Sequence, residues 1–270
     1  MSLEYAPRGL VGVLTPQANT TAEPEFALLW PPGVAMLNAR LTSAAPTIEA
    51  RLLDYLAGLD AAAGQFANAP LSALAFACTG ASYFAMPHGE DAAVARVEAS
   101  RGVPLVTAAR AVRDAFDALG ARRIGLVSPY PDGLTRAAAR YWAARGYEVA
   151  RVAGAELRGG AFHPIYAMTG EGCAAALDSL DAEGLDAVAL LGTGMPTLRP
   201  ILGRPFLGRA PVVSCMLALA WRTVRALDGL PPDAASLLAW VRGEGWGERL
   251  RARLPAAPTA TPPGAAAGRG

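Results

Sequence analysis

Lysine is missing altogether: all 24 basic residues of this 270-residue chain are arginine. A Schiff base to a carbonyl substrate or to pyridoxal phosphate needs a lysine amine, and a phosphate-binding loop needs its lysine, so both chemistries are excluded. Histidine is nearly missing, with only His88 and His163. Two imidazoles leave little material for a His-rich metal centre or a Ser-His-Asp triad, and no metal is expected. The three cysteines, Cys78, Cys173 and Cys215, are far apart and odd in number, which argues against a disulfide framework. No run reaches the roughly eighteen apolar residues of a membrane span. Met1 to Gly9 contains Glu4 and lacks the apolar stretch and cleavage site of a secretory signal, so the cytoplasm is the expected compartment. The net charge is only +1 and the arginines are dispersed, unlike the basic face of a nucleic-acid binder.

Apolar residues make up 53% of the chain and charged residues 17%, enough to bury a large core in one α/β unit or two domains. The strongest pattern is an internal echo. Leu10-Val11-Gly12-Val13-Leu14-Thr15-Pro16 has the shape of Arg123-Ile124-Gly125-Leu126-Val127-Ser128-Pro129. Leu74-Ala75-Phe76-Ala77-Cys78-Thr79-Gly80 matches Val188-Ala189-Leu190-Leu191-Gly192-Thr193-Gly194, and Val103 to Thr107 matches Ala210 to Ser214. The offsets agree within a few residues and the order is preserved, which reads as a duplication.

Short apolar runs that end in turns are the pattern of buried parallel strands. Helical spacing of apolar residues falls between them, over Thr47 to Leu59, Ala108 to Leu119, Leu134 to Arg145 and Glu171 to Leu180. Leu217 to Leu227 and Ala234 to Val241 follow the last echo. The expectation is an α/β fold of two similar Rossmann-like domains with parallel sheets, related by a pseudo-two-fold, with the active site at their interface. The first domain takes residues 1–117, completed by 216–254, and the second takes 118–215. Residues 255–270, all Ala, Pro, Gly, Thr and Arg, read as a disordered tail.

At the echoed turns the sequence resembles the aspartate/glutamate racemase superfamily, in its maleate cis-trans isomerase and arylmalonate decarboxylase branch. Four segments carry the resemblance: Pro16-Gln17-Ala18-Asn19-Thr20-Thr21 with Glu23, Ala77-Cys78, Ser128-Pro129-Tyr130, and Met195-Pro196-Thr197-Leu198. It implies a cofactor-independent enzyme acting on a small dicarboxylate, with homodimers common in the family. It also implies one cysteine from each half in racemases and maleate isomerases. Cys78 matches the first of these, whereas the second position is Gly192. Arylmalonate decarboxylases have the opposite arrangement, with their single cysteine in the second half. The second-half asparagine that binds substrate in maleate isomerases falls here on Phe162, beside His163.

Cys78 is thus the candidate catalytic residue, and the turn after it should supply N–H groups that lower its pKa and hold an oxyanion. Thr79 and Gly80 form one candidate anion hole, and Gly192, Thr193 and Gly194 its mirror. Asn19 and Tyr130 add an amide and a phenolic donor. Cys215 comes directly after the strand Val212-Val213-Ser214, at another carboxyl end from which a thiol can approach the cleft, although the apolar helix after it favours a packed thiol. Cys173 receives no role, and His88 reads as part of a solvated loop. The expected activity is maleate isomerisation through the Cys78 thiolate. The alternatives are decarboxylation of an arylmalonate with Cys78 as proton donor, or non-catalytic binding of a dicarboxylate. Two-base racemisation is disfavoured by Gly192.

Overall fold

The computed structural model describes residues 3–155 and 164–254. Phe162, His163 and the 255–270 tail lie outside the described residues. Two sheets organise the chain. The first has strand order β2-β1-β3-β4 and is parallel throughout. Its strands are β1 (Gly9–Pro16), β2 (Val34–Leu41), β3 (Ala73–Phe76) and β4 (Leu105–Thr107). The second has the order β6-β5-β7-β9-β8, from β5 (Arg123–Ser128), β6 (Glu148–Gly154), β7 (Ala187–Leu190), β8 (Phe206–Leu207) and β9 (Ala210–Ser214). Only β8 is antiparallel, pairing with β9 as a short edge. The echoed segments therefore occupy equivalent places in two sheets of the same winding.

The two strand glycines of the echo have a packing reason. A Cβ on Gly12 would lie 2.7 Å from both Leu74 Cδ2 and Phe66 Cε2, and one on Gly125 would lie 2.7 Å from Leu185 Cδ1. In each half the missing side chain admits a large apolar neighbour onto the sheet. The edge strands β2 and β6 have no counterpart in the expected element list. Both are half-exposed and carry Asn38, Arg40 and Arg151, which breaks the apolar run that marks a strand buried on both faces.

Helices cover both sheets. They are α1 (Ala22–Leu29), α2 (Ile48–Ala57), α3 (Leu59–Ala63), α4 (Thr79–Arg101), α5 (Ala108–Leu119), α6 (Asp132–Ala144), α7 (Gly170–Ser179), α8 (Leu198–Gly203), α9 (Cys215–Leu227), α10 (Ala234–Val241) and α11 (Gly247–Arg253). Side-chain caps explain several of the starts: Thr47, Thr107, Ser214 and Asp233 accept from the N–H groups of Ala50, Arg110, Leu217 and Ser236. After β9 the chain packs α9 against α5 and α1. Arg249 of α11 donates to the carbonyls of Leu28, Leu29 and Trp30, satisfying the end of α1.

One expectation is corrected here. His88 lies not in a solvated loop but on α4, as an exposed side chain. The element is two helical stretches joined at a kink: Met86 leaves the helical region with φ 59°, and Pro87, which has no N–H to give, opens the second stretch on which His88 lies. Among the described residues no helix is long and apolar enough to cross a membrane.

Candidate active site

The carboxyl ends of β1, β3, β5 and β7 converge on one small cavity of about 20 Å³, roughly the space of one water. The first half contributes Pro16, Leu52, Cys78, Thr79 and Gly80; the second contributes Tyr130, Leu134, Ile165, Tyr166, Thr193 and Gly194. Cys78 reaches it because β3 stops two residues earlier and α4 begins one residue later, so the cysteine is the helix N-cap with extended backbone. Its sulfur faces the N–H groups of Ala81 and Gly80. Tyr130 follows β5 and meets Thr79 across the interface, with 2.8 Å between the two hydroxyls.

A second set of bonds closes the halves on each other. Thr193 Oγ1 donates to the Ala77 carbonyl at 2.7 Å, next to Cys78. The Asn19 amide donates to the Thr193 carbonyl at 3.2 Å and to its hydroxyl at 3.3 Å. The Asn19 carbonyl oxygen accepts from Thr21 and Ala22 N–H at 2.8 and 3.0 Å, which caps α1. Thr21 Oγ1 donates to the Gly194 carbonyl. Asn19 is therefore brought to the site, but its amide is engaged with Thr193 and lies behind the cavity wall. Gly192 has φ 86°, and a Cβ there would lie 2.8 Å from Ile165 Cδ1, 3.0 Å from Pro129 Cγ and 3.2 Å from the Tyr130 hydroxyl.

Two mirrored turns, a cysteine at one of them and a tyrosine between them are the arrangement against which known families can be set. The model of the arylmalonate decarboxylase family matches residues 11–239. The chain belongs to the arylmalonate decarboxylase family. Among its relatives, a maleate isomerase of Pseudomonas putida is 26% identical over 247 residues, spanning 85% of this chain and 96% of that one. The maleate cis-trans isomerase of Nocardia farcinica, solved as a cysteine-to-serine variant with a covalently bound succinylcysteine intermediate, superposes with a TM-score of 0.73. It is 25% identical and covers 84% of this chain and 97% of its own. A liganded arylmalonate decarboxylase superposes with a TM-score of 0.66 at 21% identity, covering 82% of this chain and 93% of its own. That protein is a double variant with one glycine changed to cysteine and one cysteine changed to serine.

Within this decarboxylase-family frame, the electrostatics of Cys78 depart from the expectation of a lowered pKa. Burial pushes the thiol up to about 12, and the Ala81 and Gly80 N–H groups offset only part of that. Cys215, set aside in favour of a packed thiol, belongs to the same neighbourhood: its sulfur meets the Gly192 N–H and the side chains of Thr79 and Tyr83. Cys173 is buried elsewhere, beside Glu25. Leu52, Leu134, Ile165 and Tyr166 line the cavity without having been singled out. The two leucines have the helical spacing of ordinary core residues, and Ile165 and Tyr166 sit in a short 3-10 turn (Pro164–Ala167) with no periodicity to mark them. The fully buried Glu25 and Glu90 were also missed, since nothing in a sequence separates a buried carboxylate from a solvated one.

Proposed function

We propose that the chain is a cofactor-independent isomerase of small unsaturated dicarboxylic acids, with maleate as the first candidate, acting through Cys78. The observation that carries this reading is the meeting, in one cavity, of the Cys78 thiol with the turn Thr79-Gly80 and its mirror Thr193-Gly194. The Cys78 thiolate adds to one alkene carbon, forming a C–S bond and moving the π electrons into the neighbouring carboxylate as an enediolate. Rotation about the resulting C–C single bond and collapse of the enediolate expel the thiolate and leave fumarate. Backbone N–H groups of the two turns, with the Tyr130 hydroxyl, hold the carboxylate and enediolate oxygens. Gly192 leaves room for Tyr130, and Asn19 holds Thr193 in place. The maleate isomerase relatives and the cysteine adduct in one of them support this assignment.

A second reading has its own support. Burial keeps Cys78 protonated, and Leu52, Leu134 and Ile165 place apolar side chains in the cavity lining beside it. An arylmalonate would lose carbon dioxide, the bonding electrons becoming an enediolate, and the Cys78 S–H would deliver its proton to one face. Proton NMR in deuterated water separates the cases, with maleate and an arylmalonate offered separately to the wild type and to Cys78→Ala. Fumarate formation abolished by the substitution is the expected result. Deuterated arylacetate selects the decarboxylase. Inertness towards both acids with retained dicarboxylate binding selects a binding protein, and turnover that survives Cys78→Ala overturns the role of the thiol.

A further inference from the structure

The geometry points to a groove over α4 by which an anionic substrate reaches Cys78: Arg136 and Arg140 collect it at the outer end, and Leu52 and Leu134 close the inner end. The active cavity measures about 20 Å³, far less than a four-carbon diacid occupies, so part of its wall must give way before substrate enters. Leu52 of α2, Gly80 of α4 and Leu134 of α6 belong to that wall. Within about one helical turn of them, the same three helices line a second cavity of about 470 Å³. Glu49 of α2, Phe84 and Met86 of α4, and Gly133, Arg136 and Arg140 of α6 lie around it. Helix α4 packs against both α2 and α6, so it floors a groove whose sides are the other two.

The barrier between the two cavities is two side chains thick. A Cβ added at Gly80 would lie 3.0 Å from Leu52 Cδ1 and 3.5 Å from Leu134 Cδ2, so both leucines close over the space that Gly80 leaves. They reach it from opposite sides of the groove, and a rotamer change in either opens the passage without moving a strand. The outer end is open: a Cβ on Gly133 would meet nothing within 4 Å. There Arg136 and Arg140 stand one turn apart on α6, both exposed. Among the described residues neither has an ion-pair or hydrogen-bond partner, whereas Arg145 at the end of the same helix is bound to Glu90 and Asp91. Two unpaired guanidinium groups beside a concave mouth raise the local concentration of anions, and Glu49 opposes them with one charge.

That the anion is a dicarboxylate rests on the proposed function; the route itself is tested without any substrate, by alkylating Cys78. Iodoacetate, an anion, and iodoacetamide, its neutral counterpart, are compared at one alkaline pH, with modification of each cysteine followed by peptide mass spectrometry. Replacing both arginines, Arg136→Gln with Arg140→Gln, should lower the iodoacetate-to-iodoacetamide rate ratio at Cys78 by about two- to fivefold, the scale of two unit charges acting through water. Raising salt from about 0.01 M to about 1 M should erase this difference, because the Debye length shrinks from about 30 Å to about 3 Å. Leu134→Ala, with Leu52→Val as a milder partner, should speed both reagents at Cys78 by about tenfold or more, since a packed leucine no longer holds the passage shut. Cys173, buried elsewhere, should keep its wild-type rate. An unchanged ratio in the arginine variant, leucine variants no faster than the wild type, or equal acceleration at Cys173 would overturn the route. For whichever acid the wild type turns over, the arginine variant should lose kcat/KM by a similar factor at low salt while kcat holds. A wild type inert towards both acids would count against the functional reading, and the alkylation ratios would still decide the route.

Discussion

At Cys78, burial and the N–H groups of Gly80 and Ala81 pull in opposite directions, and burial prevails, holding the thiol near 12. The thiolate is then scarce at neutral pH in the unliganded protein, and alkylation by iodoacetamide should climb about tenfold per pH unit from pH 7 to pH 10. A plateau below pH 9 would show that the helix start outweighs burial. The same value separates the two reactions. An isomerase that needs the thiolate gains kcat/KM as pH rises over this range, whereas a decarboxylase that needs the S–H keeps its rate flat. Gly192 marks the other face. Restoring a second cysteine there meets φ 86° and the overlap with Ile165, Pro129 and Tyr130. Gly192→Cys should therefore cost about 1–3 kcal/mol in urea unfolding and lower turnover, without creating a racemase. A variant as stable and active as the wild type would show that the turn can reshape. Cys78, Thr79, Gly80, Thr193 and Gly194 were legible because a duplicated turn stands out against itself. Leu52 and Leu134 were not, because a leucine that faces a cavity and one that faces a core have the same spacing.

Between strands and helices, the echo has a mechanical meaning. Gly12 and Gly125 occupy equivalent central strands, and in both the space of a Cβ is already filled by leucine or phenylalanine side chains. Gly12→Ala and Gly125→Ala should each destabilise by about 1–3 kcal/mol by overpacking. Gly133 in α6 has nothing within 4 Å of a Cβ, so Gly133→Ala should be neutral or stabilise by up to about 1 kcal/mol. Urea denaturation of the three variants checks this, and a destabilised Gly133→Ala beside a neutral Gly12→Ala would reverse the packing argument. The central strands were readable because both faces are buried and the run stays apolar. The edges β2 and β6 were not, since one side of each meets water and arginines enter the pattern. The break at Met86 has a sequence cause, Pro87, but the helical stretch that resumes there and carries His88 was read as a loop.

Across the molecule, the cavity is held between two tethers. On one side Arg145 of α6 donates to Glu90 and Asp91 of α4, and Glu90 also accepts from Ser82, Thr107 and Tyr141. On the other, Glu25 of α1 accepts from the Thr197 N–H at 2.8 Å, beside the bonds from Asn19 and Thr21. The two carboxylates differ in their surroundings: Glu90 has an arginine partner, whereas among the described residues Glu25 accepts from the Thr197 N–H and hydroxyl. Burial accordingly pushes Glu25 up from 4.5 to about 7, against the pull of the Thr197 and Leu198 N–H groups. The fold therefore favours the protonated carboxyl. Its contribution is complete below pH 4.5 and is lost as pH rises through about 7. Glu25→Gln, which keeps an acceptor for Thr197 and cannot ionise, should remove that loss. Its stability relative to the wild type should rise between pH 4.5 and pH 8 by about 3 kcal/mol, the equivalent of the shift. Urea unfolding of both proteins across this range measures the difference. Parallel curves would mean that Glu25 ionises without penalty and that the domain contact at Thr197 is indifferent to its charge.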